Sequence, residues 1–140
     1  MNVRLIIIGI ILDEDFIEFY SNLEEIITKI DRTQLIRIIT NLVKNALQAI
    51  PEEQEIKKIS VSVNKEANNA IITVKDNGKG IAIADFDRIF EPKFTTKSSG
   101  MGLGLGIIKN IIENYNGTIT FTSKINKGTT FTVSLPITNQ

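Results

Sequence analysis

Two asparagines interrupt an otherwise apolar stretch of the sequence, NLVKNALQAI at residues 41–50. Residues four apart lie about 40° apart around an α-helix, so Asn41, Asn45 and Gln48 share one narrow polar strip beside the apolar face. Asparagine in a helix interior costs roughly half a kcal/mol relative to alanine, which favours a functional reason over a merely exposed polar edge. An amide oxygen can bind a hard cation such as Mg²⁺ without adding charge.

A second candidate stretch, DNGKGI at residues 76–81, follows a predicted strand directly. Gly78 and Gly80 would let the backbone approach a ligand closely, because glycine has no Cβ. Asp76, at the strand end, is a natural acceptor for an exocyclic amine. Asn-Gly is also a common turn dipeptide, so these residues alone are equally compatible with a plain turn.

The third stretch, GMGLGLG, has glycine at every second position from 100 to 106. It lacks the Gly-Lys-Ser/Thr of a Walker loop and the spacing of the dinucleotide fingerprint. It leads into a helical pattern beginning near Leu103, and a glycine-rich helix N-terminus offers free amides to phosphate. Thr95, Thr96 and Lys97 stand just upstream and could close over the same phosphates.

The composition narrows the chemistry that these stretches can perform. The chain has 140 residues, which suits one domain, and its 16 basic residues balance 16 acidic ones. No net field therefore favours nucleic acid or an anionic membrane. The chain has no cysteine and no histidine, so disulfides, thiolate zinc sites and a histidine base are excluded. Any metal must be a hard cation bound by oxygen.

The hydrophobic periodicity predicts the elements that position these residues. Asp31 and Gln34 form a capping-box pattern for a helix over residues 31–50, which Pro51 ends. The other predicted elements are a strand at 16–20, a hairpin of 59–64 with 69–76, a short helix within 84–92, a helix from about 103, and strands at 117–123 and 128–136. This order predicts an α+β fold, a two-layer sandwich with a mixed sheet covered on one face by helices.

The first residues give a weaker signal. The apolar run at residues 5–12 is ambiguous between a strand and a short helix, and it is too short to span a bilayer. Acidic residues follow it where a signal peptide would need small residues for cleavage, so a buried first element is favoured over a signal sequence.

Taken together and in order, these stretches resemble the ATP-binding catalytic domain of two-component sensor histidine kinases. That domain belongs to the superfamily that includes DNA gyrase, MutL and the heat-shock chaperone ATPases. NLVKNALQAIP is similar to its N box, DNGKGI to the G1 box, FDRIFEPKFTTK to the F box, and GMGLGLG with the strands after it to the G2 box. The resemblance covers about residues 31–136. It implies a Bergerat-type ATP-binding fold, with residues 1–30 as a junction element and first strand and residues 31–140 as the ATP-binding catalytic domain.

The resemblance also implies roles for individual residues. Asn45 would bind Mg²⁺ on the phosphates of ATP, with Asn41 nearby, and Asp76 would accept a hydrogen bond from the adenine amino group. Residues 90–97 would form a lid over the nucleotide, and residues 100–106 its hinge and phosphate contacts. The implied nucleotide-binding set is Asn41, Lys44, Asn45, Gln48, Asp76, Gly78, Gly80, Ile81, Phe94, Thr95, Thr96, Lys97, Gly100, Gly102, Leu103, Gly104 and Thr129, with Asn41, Asn45 and Lys97 assigned to catalysis.

Two departures refine this expectation. Asn41 stands where water-activating ATPases of the superfamily carry a glutamate general base, and an amide cannot take a proton from water. We therefore expect ATP to be held without fast hydrolysis, which suits transfer of the γ-phosphoryl group to another acceptor. Gln48 stands where many sensor kinases carry lysine, so the phosphate contact is left open between Lys44, Lys93 and Lys97.

The leading functional hypothesis is a histidine kinase domain whose acceptor histidine lies on a separate dimerisation domain of the same kinase, with a response regulator downstream. The alternatives are a nucleotide-binding regulatory module without phosphotransfer and an anti-sigma-type serine kinase. We expect a monomeric, cytoplasmic domain with no nucleic-acid partner and no direct membrane contact. Any membrane anchor of the parent kinase would lie in segments outside this chain.

Overall fold

A computed structural model of the chain describes residues 17–21, 32–91 and 103–137. The apolar run at residues 5–12, the capping residue Asp31 and residues 92–102 lie outside these ranges. The described elements are β1 (Ile17–Ser21), α1 (Arg32–Ala49), β2 (Ile59–Glu66), β3 (Asn69–Asp76), a 3-10 helix (Ile83–Asp85), α2 (Leu103–Asn114), β4 (Thr118–Lys124) and β5 (Gly128–Pro136).

The five strands form one mixed sheet in the order β1-β2-β3-β5-β4. The first pair is parallel and the other three are antiparallel, which confirms the predicted mixed sheet. In this register Asp76, the last residue of β3, lies between Ile59 of β2 and Thr129 of β5. The strand end that carries the DNGKGI stretch is therefore in the middle of the sheet.

The core lies between the sheet and the two helices, which pack against one of its faces. Buried apolar residues alternate with more exposed residues along β2, β3 and β5, so every second side chain of these strands faces the helices. The buried residues of α1 recur at helical spacing and meet this face, as the apolar stripe predicted. The largest fully buried side chains are Ile38, Ile39, Leu42, Ile59, Ile72, Ile89, Ile108, Ile112, Leu135, Val43, Val61 and Val63.

The short helix predicted within residues 84–92 is present only at the start of that segment. Only Ile83–Asp85 is helical, as a single 3-10 turn, and further turns follow to residue 90. The backbone bonds that close this segment are of the shorter i→i−3 kind. They run from the N–H of Phe86 to the carbonyl of Ile83 (3.1 Å), from Arg88 to Asp85 (2.9 Å) and from Glu91 to Arg88 (2.9 Å).

Aromatic packing explains why this segment takes that form. The ring of Phe86 lies 5.0 Å from that of Phe121 in an edge-to-face arrangement, and Phe90 lies 6.0 Å from Phe121 and 6.5 Å from Phe131. Ile89 between them is buried. Because these contacts are made with β4 and β5, tertiary packing overrides the local helical pattern. In the part of the chain that the structure describes, no helix is long and apolar enough to cross a membrane.

The burial of α1 gives a first testable prediction. Ile39 is 0% exposed and Ile83 is 81% exposed. We expect Ile39→Ala to lower the free energy of unfolding by about 2–5 kcal/mol, because it removes buried methyl groups and leaves a cavity. The matched control Ile83→Ala should change it by less than about 0.5 kcal/mol. Urea unfolding followed by far-UV circular dichroism measures both, and equal midpoints would contradict the placement of the core.

Candidate functional site

The polar strip of α1 faces the beginning of α2. The Asn41 side chain donates from Nδ2 to the Arg37 carbonyl at 2.8 Å, which leaves its amide oxygen turned outward from α1. A Cβ built on Gly104 would lie 3.4 Å from that oxygen. Asn45 and Gln48 continue the strip and are half-buried, whereas Lys44 beside them is exposed. The structure therefore brings the NLVKNALQAI stretch together with Gly104, which belongs to the described part of the GMGLGLG stretch.

The loop at residues 76–81 packs against the end of the same helix. The Lys79 N–H donates to the Ala49 carbonyl at 2.8 Å. A Cβ at Gly78 would overlap that same carbonyl oxygen, so this close approach requires glycine. Ala49 lies one turn beyond Asn45, and the loop is thus attached directly beside the polar strip.

The other side of the loop packs against the turn between β4 and β5. Gly80 has a φ of +75°, and a Cβ there would overlap the Lys124 carbonyl oxygen. The Asn126 N–H donates to the Lys79 carbonyl at 2.9 Å. The DNGKGI stretch is therefore not a free turn but a loop held on both sides by backbone contacts.

Asp76 and Thr129 form a buried polar pair at the base of this loop. They are 5% and 4% exposed, and they are opposite each other on neighbouring strands. By strand alternation both face the helix-covered side of the sheet. The Asp76 carboxylate accepts a hydrogen bond from the Gly78 N–H at 2.8 Å. Asp76 and Thr129, both members of the implied nucleotide-binding set, are thus neighbours.

Two residues near the site were missed by the sequence analysis. Asn77, taken as part of a turn dipeptide, accepts from the Lys58 N–H at 2.9 Å and donates to the Ile56 carbonyl at 3.0 Å. Ser123 lies 2.7 Å from the Thr129 hydroxyl and accepts from the Ile81 N–H at 2.8 Å. Ser123 could have been found from the pairing of the two predicted C-terminal strands, because it lies opposite Thr129. No local sequence pattern indicates the hydrogen-bond partners of Asn77.

The donor set decides which metal these residues could hold. Among the described residues there is no group of three or more acidic side chains that could form a metal cage. The α1 strip offers neutral amide oxygens instead. Mg²⁺ commonly takes one or two protein ligands and completes its coordination with phosphate oxygens and water. The strip therefore fits Mg²⁺ only when a phosphate ligand shares it.

Several predicted site residues fall outside this description. The structure places Asn41, Lys44, Asn45, Gln48, Asp76, Gly78, Gly80, Ile81, Gly104 and Thr129 around the loop, the end of α1 and the start of α2. Leu103 begins α2, and nothing is described of its side chain. The predicted phosphate and lid residues that lie outside the described ranges are Lys93, Phe94, Thr95, Thr96, Lys97, Gly100 and Gly102.

Sequence comparison finds relatives along most of the chain. Residues 30–139 match the family described as histidine kinase-, DNA gyrase B-, and HSP90-like ATPase. The sensor histidine kinase ZraS of Escherichia coli (strain K12) is 44% identical over 107 residues, which cover 76% of this chain and 22% of that protein. Sporulation kinase B of Bacillus subtilis (strain 168) is 37% identical over 106 residues, covering 76% and 24%. The chain spans less than a quarter of the length of either relative.

Comparison with solved structures agrees with the sequence comparison. The nucleotide-free catalytic domain of the histidine kinase ThkA superposes with a TM-score of 0.73 at 32% sequence identity. The superposition covers 86% of this chain and 77% of that one. The predicted two-layer Bergerat-type fold is therefore confirmed.

The loop contacts generate a second prediction. We expect Gly80→Ala to lower the free energy of unfolding by about 2 kcal/mol or more, because the methyl group meets the Lys124 carbonyl and the backbone has positive φ. Gly104→Ala is the matched control. Its Cβ meets nothing closer than 3.4 Å, and alanine is the better helix former. Thermal unfolding by circular dichroism compares them, and an equal loss in both variants would refute the close docking of the loop.

Proposed function

This chain belongs to the family of histidine kinase-, DNA gyrase B-, and HSP90-like ATPases, and from that premise we propose that it is the ATP-binding catalytic domain of a sensor histidine kinase. The domain binds Mg-ATP and delivers the γ-phosphoryl group to a histidine on another domain. The observation that carries the proposal is the meeting of three parts at one place: the asparagine strip of α1, the docked loop at residues 76–81 and the glycine-containing start of α2.

The buried pair at the sheet centre is the proposed base subsite. Asp76 is a hydrogen-bond acceptor 5% exposed, and Thr129 adjoins it on β5. A carboxylate has about four lone-pair sites, so Asp76 can accept from the adenine amino group in addition to the Gly78 N–H. Gly78 and Gly80 let the loop backbone pack against the Ala49 and Lys124 carbonyls, and we place the base beside Ile81 at the end of this loop.

We propose that the phosphates of ATP lie between α1 and α2. The first backbone N–H groups of α2, a helix of 12 residues, have no partner within the helix, and they lie at the positive end of its dipole. Asn45 would supply an amide oxygen to Mg²⁺, which when bound would offset negative charge on the phosphate oxygens. Asn41 lies one turn earlier, with its oxygen facing Gly104. Lys44 is the described lysine nearest this strip in sequence, and Lys93 and Lys97 remain candidates outside the described residues.

Transfer is favoured over hydrolysis at this site. The Asn41 side chain is an amide, which cannot accept a proton from an attacking water at neutral pH. Its Nδ2 already donates to the Arg37 carbonyl, so the side chain is held in place. The chain contains no histidine, so the phosphoryl acceptor is supplied by a histidine-bearing dimerisation domain, from which a response regulator then takes the group.

A binding and transfer experiment tests the proposal. Calorimetry with ATP, with and without Mg²⁺, should give Mg-dependent binding, and a phosphate-release assay on the same sample should give negligible hydrolysis. Adding a histidine-bearing dimerisation hairpin should then produce acid-labile, base-stable phosphorylation of the hairpin. Binding without transfer to any tested hairpin would favour a regulatory module, and acid-stable phosphoserine would favour a serine kinase. Fast hydrolysis by the chain alone would contradict the role given to Asn41.

The metal role of Asn45 can be tested separately. We expect Asn45→Ala to weaken ATP binding about tenfold or more in the presence of Mg²⁺, because it removes an oxygen bound to a cation, and to change Mg-free binding little. Asn110→Ala, an exposed asparagine within α2, is the matched control and should bind as the unchanged chain does. Normal Mg-dependent affinity in Asn45→Ala would remove it as the ligand.

A further inference from the structure

We propose that Ser123 is a positioning residue that fixes the Thr129 hydroxyl as a hydrogen-bond acceptor, so that the base subsite selects a purine carrying a 6-amino group. The inference rests on the proposed ATP-binding function. It starts from the Ser123 hydroxyl, which contacts three different segments: the end of the loop at Ile81, the start of β5 at Gly128, and Thr129.

The proton count at Ser123 decides the direction of each bond. A serine hydroxyl has one proton to donate and two lone pairs to accept. The Ile81 N–H donates to Ser123 Oγ at 2.8 Å. When all three contacts are formed at once, the Gly128 carbonyl, which can only accept, takes the single Ser123 proton at 3.1 Å. In that arrangement, which we adopt as part of the proposal, Thr129 donates the remaining contact, 2.7 Å from Thr129 Oγ1 to Ser123 Oγ.

This assignment fixes what Thr129 can offer a ligand. Its one proton is directed to Ser123, so only lone pairs remain for a group that enters the base subsite. The neighbouring Asp76 is an acceptor as well, and both side chains are at least nine-tenths buried. A 6-amino group can donate its protons to these two acceptors. A keto oxygen in the same place would face acceptors only and would lose the hydrogen bonds that it makes in water.

The same serine also has a plain structural role, which the test must separate. Ser123 holds the Ile81 N–H and so attaches the loop to β4. Loss of that bond alone would weaken all purine nucleotides alike. Loss of the Thr129 orientation would instead change the preference between 6-amino and 6-keto purines. The ratio of two affinities is therefore the informative quantity.

The experiment measures the dissociation constants of ATP and inosine triphosphate by calorimetry at fixed Mg²⁺, using the full 140-residue chain. Inosine triphosphate carries a keto oxygen in place of the 6-amino group and a proton on N1. We expect Ser123→Ala to reduce the preference for ATP about five- to tenfold, the effect of one oriented hydrogen bond. Thr122→Ala removes the adjacent, exposed hydroxyl of the same strand and should leave the preference unchanged.

A double-mutant cycle with Thr129→Val shows whether Ser123 acts through Thr129. If it does, Thr129→Val alone reduces the preference, and adding Ser123→Ala reduces it by less than a further twofold. Independent, multiplying effects would overturn the proposal, and so would an unchanged ratio in Ser123→Ala when both affinities fall together.

Two further outcomes keep the inference distinct from the proposed function. If Ser123→Ala does not fold, as judged by circular dichroism, Thr129→Val alone still decides, because retention of the full ATP preference in that variant overturns the assignment. If the unchanged chain binds neither nucleotide, the proposed function itself fails. If it binds both equally, ATP binding stands and the role of Ser123 is refuted.

Discussion

The docking of one loop between two backbone carbonyl groups is the constraint on which the rest of the site depends. Residues 76–81 contact the Ala49 carbonyl at the end of α1 and the Lys124 carbonyl at the end of β4. Neither contact tolerates a Cβ at the loop position that makes it. Because the loop touches both layers of the sandwich, it fixes the asparagine strip of the helix relative to the buried Asp76–Thr129 pair of the sheet.

This arrangement explains how a polar site can exist beside an apolar core. Asp76 is the last residue of the central strand β3, and its side chain is on the helix-covered face at the end of the strand, in register with the buried Ile59 of β2. Burial of a carboxylate without partners would be strongly unfavourable, and the Gly78 N–H supplies one partner from the same loop. Ser123 and Thr129 extend the polar region across β4 and β5.

The parts that the sequence predicts well are those encoded by local spacing. Helix and strand periodicity located α1, both hairpins and the start of α2, and the four-residue spacing of Asn41 and Asn45 placed them on one strip. The predicted helix was extended wrongly beyond Asp85, since the form of that segment is set by contacts with Phe121 and Phe131, far along the chain. The partners of Asn77 and the proton direction at Ser123 depend on three-dimensional neighbours that no local pattern contains.

The register of the central strands also bears on how the domain folds. The β2–β3 and β4–β5 hairpins are each closed by a short turn, so each can form from local contacts on a timescale of about microseconds. The pairing of β3 with β5 joins these hairpins across α2, and it is the step that closes a long loop. Asp76 and Thr129 belong to different hairpins and become neighbours only when β3 pairs with β5. The base subsite is thus absent from either hairpin alone. A ligand that binds there stabilises only the fully assembled sheet, because only that state contains the complete subsite.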